Sequence, residues 1–290
     1  MAQVVLVHGV FNHLQGLSPQ EAAAQHVTHC LPRLVESLAR WSVAAPEVVM
    51  AYYADLLRPA LPDEAQTAPD GYRFEDLRTD EQREQAADWL EAAGAPEPAG
   101  AMNQGTKQLR EALGRLIDGR GGRLTRAARK QVVDRVERAI VAHLLEVEAY
   151  TAWPGRRELV RERVADVIRR EAPAVVIAHS LGSYVTYETL HAYPELEVEL
   201  LVTIGSPLRV PSLLRRLDPP LRSGRGARPD GVGRWVNLAD VGDLVAIPPK
   251  LGEVFPVDAD EVCDNGLDFH GLGAYLGNGL LAAAVIPYLS

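Results

Sequence analysis

The chain has 290 residues, 47% of them hydrophobic, and a formal net charge of −9. That length can bury roughly three quarters of the unfolded surface, in one large or two ordinary domains, and the acidic balance excludes a general attraction to nucleic acid or anionic membranes. Its two cysteines, Cys30 and Cys263, stand in no metal-type spacing and read as isolated thiols.

The first apolar run, Val4 to Val7, leaves no charged or apolar leader for export before it. No run of about 18 apolar residues is present to span a bilayer, the longest candidate being Leu280 to Leu289. A cytoplasmic protein without an integral membrane span is expected. His8-Gly9 follows the first run as a turn. Ser18-Pro19 places a serine N-cap before a proline at the first helical position and opens a helix running toward Trp41. A second strand is predicted from Val48 to Tyr53.

Residues 54–154 are then far more than one strand-to-strand crossover needs. Within them, Val132, Val136, Ile140, Leu144 and Val147 lie on one stripe, so an amphipathic helix is predicted over Thr125 to Tyr150. The segment from Asp63 to Asp88 is polar and acidic, and Gly94 to Gly100 and Asp118 to Gly122 read as loops. We expect this insertion to form a helical cap on a core made of residues 1–53 and 155–290.

Arg156 to Arg170 reads as a helix that ends before Pro173. Its arginines, with those of 120–138 and 215–228, read as solvated faces. Three more short apolar runs follow as strands: Val175 to Ala178, Leu200 to Ile204 and Trp235 to Leu238. They end in His179-Ser180, Gly205-Ser206-Pro207 and Asp240-Val241-Gly242-Asp243. Polar groups gathered at strand ends, with helices between strands, predict an α/β fold with a mostly parallel sheet covered on both faces. A last helix is predicted from about Gly271 to Leu289.

The third strand carries the strongest chemical signal. Ala178-His179-Ser180-Leu181-Gly182 sets a serine between two nearly side-chain-free positions, after a β-branched run and before a helical pattern. Such a turn lets strand and helix approach and pushes a nucleophilic serine outward. A serine hydroxyl needs a base, and the base an orienting acid. In the order Ser, Asp, His, only His191 and His270 follow Ser180. His191 lies eleven residues along the helix, about 15 Å away, which leaves His270; the bland alternative is a histidine that merely caps the last helix. Asp243 is preferred as the acid, with Asp240 the alternative, because the Val241-Gly242 turn swings Asp243 back toward His270. The oxyanion donors are expected at the N–H groups of Leu181 and Val10, with Gly9 adopting a conformation closed to larger residues. His8 and His179 are expected to support the site, as is Gly182. No metal cluster, phosphate loop or dinucleotide fingerprint stands in the sequence, so neither metal nor cofactor is expected.

On these residues the chain resembles the lipase- and esterase-like serine hydrolases of the α/β-hydrolase superfamily. The matching segments are V-L-V-H-G-V at 5–10, V-I-A-H-S-L-G at 176–182, V-T-I-G-S-P-L at 202–208, V-N-L-A-D-V-G-D-L-V-A at 236–246 and F-H-G-L at 269–272. Ala178 replaces the first glycine of the elbow, and the His-Gly is not extended to a Gly-Gly run. The insertion matches nothing. The resemblance implies the α/β-hydrolase fold and cleavage of an acyl ester, with a small-molecule or lipid-like acyl substrate. A peptidase, amidase or acyltransferase on the same site, or a catalytically silent binding module, are the alternatives.

Overall fold

Apolar side chains alternate in two-residue steps along the first strand, β1 (Val4–Val7), and both faces they point to are covered. Val5 and Val7 join one buried cluster, Val4 and Leu6 another. This pattern belongs to a parallel strand held between two helical layers. The computed structural model describes residues 3–57, 72–95, 105–120, 125–266 and 268–289. The other strands are β2 (Val48–Ala51), β3 (Val175–His179), β4 (Val198–Ile204), β5 (Val232–Asp240) and β6 (Ala259–Cys263). They form one six-stranded sheet in the order β2-β1-β3-β4-β5-β6, parallel throughout.

The helices are α1 (Pro19–Ala39), α2 (Ala54–Leu57), α3 (Asp80–Ala92), α4 (Thr106–Arg120) and α5 (Arg126–Thr151). They continue as α6 (Pro154–Glu171), α7 (Leu181–Ala192), α8 (Pro211–Leu214), α9 (Leu272–Leu276) and α10 (Gly279–Val285). Ser18 caps α1 in a reciprocal capping box with Glu21. With α9 and α10, α1 covers the face that carries Val4, Leu6, Val175 and Ile177. On the opposite face, Val5, Val7, Val176 and Ala178 meet α6, α7 and the helices of the insertion.

Several elements depart from the sequence reading. The single last helix is two, because Asn278 turns its side chain to the N–H of Leu280 and starts α10 afresh. The edge strand β6 is absent from the reading because Asp260 and Glu261 interrupt its apolar pattern. Asp118, where a loop is expected to begin, lies in α4. Residues 63–71, 96–100 and 121–122 of the predicted acidic and loop segments fall outside the described residues.

More consequential is α5, which has no solvent stripe in its second half. From Ile140 to Val147 every residue is buried, His143 and Glu146 included. Helices α3, α4 and α6 pack against α5, so the helix is amphipathic over its first half, where Arg126, Lys130, Gln131 and Arg135 are exposed, and a core helix over its second. The predicted solvated face of α6 is also partly interior. Arg157 and Arg161 bond the buried carboxylate of Glu188, which Tyr150 meets at 2.6 Å.

The sheet order positions the site. The chain runs from β1 to β2 on one side of β1 and later to β3 on the other. The carboxyl ends of β1 and β3 therefore lie side by side at a point where the strand order reverses. Crevices at such points are where open parallel sheets bind ligands. No helix among the described residues is long and apolar enough to cross a membrane.

Candidate functional site

Ser180 sits between β3 and α7 with φ 56° and ψ −129°, a backbone region that costs a non-glycine residue about 1–3 kcal/mol. The surroundings hold it there. Its N–H donates to the Ile204 carbonyl at 3.0 Å. Its own carbonyl accepts from the Ser183 hydroxyl at 2.6 Å, which lies equally close to Ser206 Oγ.

The small neighbours are required by space. A Cβ on Gly182 would lie 2.4 Å from the His8 carbonyl oxygen and 2.6 Å from that of Val7. This glycine therefore lets α7 rest on the end of β1. Gly9 does not use the conformational freedom the sequence suggested, for its φ is not in the left-handed region. A Cβ there would lie 2.5 Å from Ser180 Cβ, so contact with the serine is what demands glycine. The non-glycine left-handed residue in this loop is Phe11, at φ 63°, whose N–H donates to Glu146 Oε1 on α5 at 3.2 Å.

Three residues distant in sequence meet here. His270 Nε2 lies 3.1 Å from Ser180 Oγ, and His270 Nδ1 lies 2.8 Å from Asp243 Oδ2. Asp243 also accepts from the Tyr275 hydroxyl at 2.8 Å and from the Val245 N–H at 2.8 Å. Burial alone would push this carboxyl up; the imidazole of His270 and these hydrogen bonds outweigh it and hold Asp243 below the usual range. Gly205, at φ 56°, leaves the space that both residues occupy: a Cβ there would stand 3.0 Å from Asp243 Oδ2 and 3.2 Å from His270 Nδ1. Asp240 turns away, accepting from the N–H groups of Gly242 and Asn265, and burial raises its carboxyl.

The two histidines expected to support the site are buried and hydrogen-bonded. His179 Nε2 reaches the His270 carbonyl at 2.9 Å and so anchors that loop. His8 gives Nδ1–H to the Gly9 carbonyl at 2.8 Å and accepts the Tyr53 N–H at Nε2 at 3.0 Å. Burial lowers both imidazoles to about 3. His191 lies at the far end of α7, where it meets the Ala227 carbonyl. Asn12 binds the carbonyls of Gly9 and Val10. Among the described residues, neither the Val10 N–H nor the Leu181 N–H has a hydrogen-bond acceptor.

Two contributors escaped the sequence reading. Tyr275 ties Asp243 to the end of β5, its oxygen accepting the Asp240 N–H at 2.8 Å. His143, on α5, places Nε2 2.6 Å from Ser180 Oγ. The chain-order rule considers only histidines after the serine, so it passes over residue 143. A signal was available: His143 follows Ile140 by three residues, on the apolar side of the predicted helix.

A cavity of about 500 Å³ opens onto Ser180 and His270, lined also by Val10, Phe11, Ala139 and Phe269. Another, of about 470 Å³, lies between α1, β2 and α6 and presents no histidine, cysteine or carboxylate. Among the described residues no group of three or more His, Cys, Asp or Glu side chains is disposed to hold a metal ion. Chemically, a hydroxyl facing an imidazole backed by a buried carboxylate can lose its proton to that ring as it attacks. Comparison of the chain with protein-family models, curated proteins and solved structures gives no match.

Proposed function

We propose that this chain is a serine hydrolase of the α/β-hydrolase type that cleaves an acyl ester through an acyl-serine intermediate. The observation that carries the reading is the alignment of Ser180 Oγ, His270 and Asp243 at 3.1 and 2.8 Å at the end of a cavity. Ser180 attacks the acyl carbonyl while His270 takes its proton and returns it to the leaving group. Asp243 fixes the ring with Nδ1 protonated and offsets the positive charge that forms. The Val10 and Leu181 N–H groups, free of other acceptors among the described residues, receive the charge that grows on the carbonyl oxygen. Each such donor contributes about 3 kcal/mol. The insertion acts as a cap, its helix α5 and the Phe269 loop forming walls of an acyl pocket.

The test is labelling by a fluorophosphonate probe, followed by turnover of matched ester, thioester and amide substrates. Wild type is expected to label and to prefer esters, and Ser180→Ala to lose labelling and about a millionfold in kcat. A folded wild type that does not label supports a silent binding module. Turnover of amides without turnover of esters supports a peptidase or amidase.

A further inference from the structure

Ser180 Oγ faces two imidazoles rather than one. The Ala139 carbonyl, one turn back on α5, lies 2.7 Å from His143 Nδ1. A carbonyl only accepts, so Nδ1 carries the ring hydrogen and Nε2, 2.6 Å from Ser180 Oγ, is a bare acceptor. His270 is arranged alike, with Nδ1–H given to Asp243 and Nε2 3.1 Å from the same oxygen. A hydroxyl has one hydrogen to donate. Two acceptors compete for it, and the nearer is His143.

The two rings differ in what they can do with a proton. His270 has the Asp243 carboxylate behind it to balance an imidazolium. His143 has a neutral carbonyl behind it and is wholly buried, edge-on to Trp89 and to His270. Burial, with the nearby His270 ring, lowers it to about 3, so near neutral pH it cannot keep a proton that it receives. The shorter hydrogen bond thus points at the poorer base.

We propose that His143 restrains the nucleophile: in the free protein it accepts the hydrogen bond of the Ser180 hydroxyl, and that bond must be given up as the proton passes from Ser180 to His270 when a substrate is attacked. The inference rests on the hydrolase reading above. In acylation the Oγ–H bond breaks, its proton passes to His270 Nε2, and the bond from Oγ to the acyl carbon forms. The leaving group then departs with the proton that His270 returns. The bond to His143 exists only before this step, and an interaction made in the ground state and lost in the transition state slows the reaction. His143 is therefore a brake on acylation that the insertion supplies to the nucleophile.

The test compares fluorophosphonate labelling rates of wild type, His143→Leu and His143→Gln, with folding checked by circular dichroism. Leucine removes the acceptor, and labelling is expected to quicken about tenfold, equivalent to about 1.4 kcal/mol. Glutamine keeps an acceptor and is expected to stay near the wild-type rate. Folded His143→Leu that labels no faster than wild type overturns the proposal. Nitrogen-15 NMR of the histidines gives a readout independent of both variants. His143 Nε2 is expected to be unprotonated at neutral pH and to shift when Ser180→Ala removes the hydroxyl; a protonated Nε2 overturns the proposal. A wild type that never labels overturns the hydrolase reading and this inference with it. A wild type that labels, with Nε2 protonated, overturns this inference alone.

Discussion

Gly9→Ala probes the site with a single methyl group. The added Cβ would stand 2.5 Å from Ser180 Cβ, 2.9 Å from its Oγ and 3.2 Å from His179 Nδ1. Carbon atoms rest at about 3.5–4.0 Å, so about 1 Å must open between the loop after β1 and the serine. Ser180 cannot yield cheaply, because its N–H is bonded to Ile204 and its carbonyl to Ser183. If the loop moves instead, it carries the Val10 N–H away from where the proposed mechanism puts the oxyanion. A misplacement of about 1 Å costs about 100-fold in rate, or about 2.7 kcal/mol in the barrier. Overpacking lowers stability by about 1–3 kcal/mol as well. Ester turnover and fluorophosphonate labelling measure the first effect, and denaturant unfolding the second. Gly273→Ala is the matched control, since its Cβ would meet only Arg33 Cγ at an ordinary 3.6 Å. Gly9→Ala with wild-type kcat/KM would refute the claim that this contact sets how closely the loop after β1 lies against Ser180.

Two further predictions follow from the site's charges. Asp243→Asn sets an amide among donors on both sides, His270 Nδ1–H and the Tyr275 hydroxyl at one oxygen and the Val245 and Ala246 N–H groups at the other. Its NH2 must therefore face a donor, and the change is expected to lower kcat about 10⁴-fold. Asp240→Asn, which loses only bonds to backbone N–H groups, should stay within about tenfold; steady-state kinetics on both would reverse the assignment if Asp240→Asn were the more damaging. Stability should also fall in mild acid. His8, His143 and His179 are held neutral in the fold at about 3, below the roughly 6.5 of an unfolded histidine. Between those values the unfolded chain binds more protons, so stability is full above about pH 6.5 and declines as pH falls. Each ring accounts for about 2 kcal/mol between pH 7 and 5, and the lowered carboxyl of Asp243 adds loss in the same direction in stronger acid. Urea unfolding at the two pH values checks this, and an unchanged midpoint would contradict it.

The parts that were legible in the sequence are those governed by local chemistry. Ser18-Pro19 starts a helix because one side chain caps it and one ring presets its first turn. Val175 to His179 forms a strand because β-branched residues suit an extended backbone buried on both faces. The spacing of small residues around Ser180 announces a tight turn because nothing larger fits. Elimination among the late histidines left His270, since a helix of fixed rise carries His191 out of reach. Periodicity located α5 to within a residue at either end, although it misjudged what surrounds it.

Contacts between distant segments were decided by tertiary structure. A helix reports in its sequence which face is apolar, but burial on every side depends on what packs there, and α3, α4 and α6 close around α5 from separate parts of the chain. That packing turns His143 from one polar residue of a helix into a ring 2.6 Å from Ser180 Oγ. The choice between Asp243 and Asp240 likewise rests on Tyr275 and His270, more than twenty-five residues away, which bond one carboxylate while backbone N–H groups hold the other. Local pattern thus determined the strands, the first turn of α1 and the sharp bend at the serine, because each follows from steric and hydrogen-bonding rules within a few residues. Which groups surround the serine was settled only when the sheet order brought the ends of β1 and β3 together beneath α5, because proximity in space is a property of the whole fold.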